Sequence, residues 1–112
     1  MTHPSVIRPA DHAVFSPERM GKATLFASAH LLVGINAFEP GQQHALHAHP
    51  GQDKVYLVAD GQGVFLIDGD EWPMRTGDLL VAPADVPHGV RNTSDERLVL
   101  VAILAPAPAS AR

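Results

Sequence analysis

Residues 41–61 read GQQHALHAHPGQDKVYLVADG, and residues 77–92 read GDLLVAPADVPHGVRN. In the first stretch His47 and His49 stand two apart. Side chains alternate faces along a strand, so an extended chain here presents both imidazoles on one side. Neutral imidazole is a good ligand for zinc, iron, copper or nickel, and two on one strand need only a third donor from elsewhere to build an open facial site. His88 in the second stretch is the natural third, delivered by Asp85-Val86-Pro87, where the proline limits how far the ring can wander. His44 differs from His47 by an odd number, so regular alternation turns it away toward a rim or surface position.

Outward from these stretches, short runs rich in Val, Leu, Ile and Phe are separated by Gly, Pro, Asn and Asp, and no window carries a capped helical stripe. Strands are expected at about Lys22 to Ser28, His30 to Phe38, His44 to His49, Lys54 to Ala59, Gly63 to Asp68, Glu71 to Arg75, Asp78 to Ala82, Val86 to Arg91 and Arg97 to Leu104. The class is all-β, a sandwich or barrel. Asp68-Gly69 between two apolar runs favours a tight hairpin whose positive φ matches the strand twist. Pro40-Gly41, Asp60-Gly61 and Thr76-Gly77-Asp78 mark further reversals. The expected organisation is an N-terminal arm over 1–20, with an edge strand around Val14-Phe15, a barrel over 21–104, and an extended or flexible C-terminal tail over 105–112.

A chain of 112 residues suits one domain with its own core. It has no cysteine, which excludes disulfides, thiolate metal sites and cysteine nucleophiles. The net charge is −4 and the eight Lys and Arg residues are scattered, so no basic stripe offers a footprint for phosphates and nucleic acid is not an expected partner. Met1 to Pro17 lacks an apolar run of the length a signal peptide or membrane span needs, which gives the expectation of a cytoplasmic protein without a membrane partner.

The same two stretches resemble the two motifs of the cupin superfamily. The first family motif is a glycine, five residues, His-x-His, three or four residues, a glutamate, six residues and a glycine. Gly41, His47-Ala48-His49, Lys54 and Gly61 stand at those places. The second is a glycine, five residues, Pro-x-Gly, two residues, a histidine, three residues and an asparagine. Gly77, Pro83-Ala84-Asp85, His88 and Asn92 follow it, with Asp85 in the place of the second glycine. The resemblance implies a small double-stranded β-helix, or jelly-roll barrel, holding one divalent metal ion (Fe, Mn, Ni, Cu or Zn) on His47, His49 and His88.

Lys54 stands where the family places a carboxylate ligand, and a protonated ammonium has no lone pair to offer an ion. Three arrangements remain open. The ion has histidine ligands only, with Lys54 turned aside to pair with Asp53 or another carboxylate. Alternatively Gln52, two residues before Lys54 and on its face if the strand reaches that far, supplies an amide oxygen, Asp53 having the better ligand chemistry but the wrong parity unless the Pro50-Gly51 turn shifts the strand. In the third, no metal is bound and Lys54 meets an anionic ligand. Tyr56 shares the face of Lys54 and is a candidate to reach the pocket with it, or else a core tyrosine. Trp72 and Phe65 read as core or subunit contacts, and Asn92 as a turn-closing side chain.

The functional expectation is a metal-dependent enzyme of dioxygenase type acting on a small organic molecule, with Lys54 and Tyr56 as catalytic candidates. A non-catalytic small-molecule or metal-binding module is the alternative. A sugar isomerase or epimerase would want more positive charge at the pocket. Apolar runs at Leu25-Phe26 and Leu31-Leu32-Val33 favour a homodimer.

Overall fold

The computed structural model describes residues 4–108. Nine strands follow in chain order: β1 Gly21–Ala27, β2 Leu32–Phe38, β3 Gln43–His47, β4 Asp53–Asp60, β5 Gln62–Ile67, β6 Asp70–Arg75, β7 Leu79–Ala82, β8 His88–Arg91 and β9 Leu98–Ala105. Every pairing is antiparallel, in a five-stranded sheet ordered β1-β2-β9-β4-β7 and a four-stranded sheet ordered β3-β8-β5-β6. This is the expected all-β jelly roll.

Alternation explains which side chains form the core. On β4, Lys54, Tyr56 and Val58 turn inward and are buried, and on β9 Leu98, Leu100, Ala102 and Leu104 do the same. β9 is the middle strand of its sheet and reads as an unbroken apolar run because its outer face is also covered in part. Ala13 and Phe15 of the N-terminal arm pack against Ile35, Ala37 and Val99 there. The arm is held by Gln42, whose Nε2 donates to the Ser16 carbonyl at 2.7 Å, and by the Arg97 guanidinium lying 4.1 Å over the Phe15 ring.

The two ends depart from expectation. The arm makes a short 3-10 turn at Pro9–His12, and Val14-Phe15 forms no strand; Phe15 instead packs its side chain against Ile35, Ala37 and Val99. At the other end β9 continues to Ala105, Ala107 is fully buried, and the Pro106 carbonyl accepts a hydrogen bond from Gln52. Residues 105–108 of the expected flexible tail are therefore docked on the barrel, while its last residues lie outside the described range. Trp72, expected in a core or contact, is 58% exposed on β6, whereas Phe65 is buried.

Candidate metal centre

Three elements bring the imidazoles together. His47 ends β3, His88 begins β8, and the two are cross-strand partners. His49 follows two residues after β3, where its carbonyl accepts from the Gln52 amide at 3.2 Å and from the Asp85 amide at 3.2 Å, tying the first motif to the second. The ligand atoms of His47, His49 and His88 all lie within 4.8 Å of one another. A group that can hold a metal ion is thus assembled from the three positions singled out by spacing.

The hydrogen bonds show which nitrogens face the common point. Nδ1 of His47 donates to the Ala45 carbonyl at 2.7 Å, and Nδ1 of His88 donates to the Val86 carbonyl at 3.1 Å. A carbonyl can only accept, so Nδ1 carries the proton and Nε2 of each neutral ring keeps its lone pair. The Nε2 atoms of His47, His49 and His88 are all buried without a hydrogen-bond partner. Burial lowers the pKa of each ring below the usual histidine value, most in His49, which burial and then Lys54 bring down to about 4. Three convergent, neutral, unpartnered imidazole nitrogens fit a divalent ion, and backbone carbonyls hold two of the rings in orientation, as outer-shell acceptors do in metal sites.

His44 packs beside this group without being one of its three ligands, contrary to the expected rim or surface position. β3 pairs His44 with Val90 and His47 with His88, so three steps on β3 match two on β8. The extra residue is a β-bulge, and it puts His44 and His47 on one face. Their rings stack with centroids 4.0 Å apart. Burial, followed by repulsion from His47 and Lys22, lowers the His44 pKa to about 3.

Lys54 is only 7% exposed, and its Nζ lies 4.8 Å over the Tyr56 ring. No carboxylate pairs with it among the described residues: Asp53, weighed as its partner, accepts the Ala84 amide at 2.9 Å instead. Burial, then repulsion from Lys22, lowers the Lys54 pKa to about 8. The Tyr56 ring is completely buried 6.1 Å from the His88 ring, and its hydroxyl has no hydrogen-bond partner. Gln52 does not behave as the parity argument requires, because β4 begins only at Asp53 after a turn and the Gln52 amide donates to the Pro106 carbonyl at 3.0 Å. Asn92 staples the turn after β8, donating to the Phe38 and Glu96 carbonyls and accepting from Ser94.

A cavity of about 340 Å³ opens beside the histidines and shares His44, His49 and Lys54 with them. Its wall includes Lys22 and Asn36, which the sequence reading passed over. Asn36 had a signal: it is the single polar residue within the apolar run Leu31 to Phe38.

The Cupin domain family profile matches residues 34–104. The oxalate-binding protein of Thermotoga maritima is 32% identical over 92 residues, covering 81% of this chain and 70% of that protein. The gentisate 1,2-dioxygenase of a Ralstonia species is 28% identical over 85 residues, 75% of this chain but 24% of the enzyme. The crystal structure of TT1209 from Thermus thermophilus superposes with a TM-score of 0.88 at 36% identity, covering 92% of this chain and 98% of that one. Against its first three curated relatives the chain spans between 48% and 70% of their length. The chain belongs to the cupin family.

Proposed function

We propose that this cupin is a cytoplasmic, metal-dependent enzyme of dioxygenase type acting on a small organic molecule, with His47, His49 and His88 as the metal ligands. The observation that carries the reading is the convergence of three buried Nε2 atoms that have no other partner. A bound divalent ion would supply Lewis-acid activation of substrate oxygens and, with Fe, Mn, Cu or Ni rather than Zn, electron transfer with dioxygen. The residues around it bind and orient. Lys54 donates to a negatively charged substrate oxygen, and with a pKa near 8 its amine can take up or release a proton near neutral pH. The unpartnered Tyr56 hydroxyl, on a ring 6.1 Å from that of His88, is a second candidate donor, and apolar residues of β2 and β9 line the cavity beside the histidines.

Gentisate 1,2-dioxygenase among the relatives supports the oxidative reading, and the oxalate-binding protein supports a non-catalytic alternative in which the same residues capture a small acid. Oxygen uptake by Fe(II)-, Mn(II)- and Cu(II)-loaded protein, without added reductant, separates them when catechols, flavonols, β-diketones and thiols are offered. Uptake with one substrate class is expected, with at least a ~100-fold loss in His88→Ala, the scale of about 3 kcal/mol of transition-state stabilisation. Tight binding with no uptake for any class would favour the binding module.

A homodimer is part of the proposal. The outward face of the larger sheet carries two cross-strand apolar rows, Phe26-Val33-Ile103-Val55-Val81 and Ile35-Val101-Leu57-Leu79, in which Phe26, Leu57, Leu79, Val81 and Ile103 are exposed. The exposed part of these rows, which the N-terminal arm leaves uncovered, fits a second copy of the same face. Light scattering at micromolar concentration is expected to give twice the chain mass, and to give the single-chain mass for Val81→Asp.

A further inference from the structure

Beside the histidine group, the polar wall of the 340 Å³ cavity consists of Lys22, Thr24, Asn36, His44, His49 and Lys54, and among the described residues no acidic one lines it. Two of these side chains are more than nine-tenths buried, Asn36 at 6% exposure and Lys54 at 7%. The Asn36 Nδ2 is buried with no acceptor, and no carboxylate faces the Lys54 ammonium among the described residues. A buried amide donor without an acceptor, beside a largely buried lysine with no carboxylate partner, is expensive to maintain in a fold that gains nothing from it. Both donors line the one cavity from different rows of the sheet: Lys22 on β1 is the cross-strand partner of Asn36 on β2, whereas Lys54 on β4 is the partner of Leu104 on β9, in the row of Leu32 of β2. The floor between the donors is apolar, formed by Ala102 and Leu104.

We propose that this cavity is a carboxylate subsite: Lys54 and Asn36 donate to the carboxylate of a small organic anion with an apolar body, and Lys22 at the rim adds a second positive charge. A carboxylate offers acceptors enough for an ammonium and an amide, whereas a phosphate would leave further oxygens unpaired against Ala102 and Leu104. At the small end of ligand pockets, ~300–1,000 Å³, the cavity suits a single ring or a short acyl chain. In the place where the family carries a carboxylate ligand for the ion, Lys54 thus turns the same strand position from a metal contact into a substrate contact. The proposal rests on the metal reading only for the ligand's second contact, toward His49. The donor pair stands without it.

Calorimetric titration with 2-hydroxybenzoate and its neutral counterpart 2-hydroxybenzamide tests this, on zinc-treated and on chelator-treated protein. The anion is expected to bind roughly 10- to 100-fold more tightly than the amide, the span of a charge-assisted hydrogen bond. The preference is expected to fall below about threefold in Lys54→Met, whose apolar side chain suits a buried position, and several-fold in Lys22→Ser, where the parent side chain is exposed and folding is not at risk. Absence of the preference in the parent, or its persistence in both variants, would overturn the proposal. If zinc binds but the acid is not preferred, the subsite falls and the metal centre stands. If the acid is preferred but no zinc binds, the metal centre falls and the subsite stands.

Discussion

His88 Nδ1 is committed to the Val86 carbonyl and His47 Nδ1 to the Ala45 carbonyl, so the charge state of this cluster is set by what surrounds the Nε2 atoms. His47, His49 and His88 were legible because ligand chemistry and two motif spacings agree on them. His44 was not, since its direction depends on a bulge that no residue in Ala45-Leu46 announces. The pKa shifts give a consequence for the metal-free protein. His44 and His49 fall from 6.5 to about 3 and about 4, chiefly through burial. A folded pKa below the unfolded one means the unfolded chain holds the extra proton between them, so this stabilisation is complete above pH 6.5 and is lost as the pH falls toward 4. Lys54 acts with the same sign between about 8 and 10.5, where stability climbs as the ammonium is lost. Urea midpoints of chelator-treated protein are therefore expected to rise in order from about pH 5 through 7 to 9.5. Equal midpoints at the two lower values would contradict burial of neutral imidazoles.

At the level of the elements, the sequence announced all nine strands, because turn residues and apolar runs mark each boundary to within a few positions. The second motif departs from the family at Asp85, and the structure explains what that place demands: Asp85 has φ +68°, in the left-handed region, and its amide reaches the His49 carbonyl. Glycine adopts this conformation freely, aspartate tolerates it, and a β-branched residue is strained there by roughly 1–2 kcal/mol. Asp85→Gly is expected to match or exceed the parent in stability, and Asp85→Val to fall at least ~1 kcal/mol below it, read from urea unfolding. Equal stability of Asp85→Val and the parent would remove this account of the departure. Gln52 lies at the end of a turn closed on the His49 carbonyl, just before β4 begins, so strand alternation does not carry its side chain to the face of Lys54. The prolines and small residues of 106–108 carry no strand signal, yet small size is what lets Ala107 bury against the barrel.

For the molecule as a whole, the two sheets bring residues of β1, β2, β3, β4 and β9 around one cavity, with His88 of β8 in the histidine group beside it, an arrangement that spacing along a single strand cannot reveal. The pocket combines two chemistries: neutral nitrogens that want a cation and, beside them, an ammonium that wants an anion. A ligand that bridges the two would satisfy both at once, which is why the metal comes first in any test. Elemental analysis of protein purified without a histidine tag measures it directly. About one divalent ion per chain is expected in the parent, falling to a small fraction in both His47→Ala and His88→Ala while circular dichroism keeps its β signature, since three-ligand sites lose most of their affinity with one ligand. Parent protein without metal, or variants that keep the parent's content, would contradict the convergence of these imidazoles on one ion.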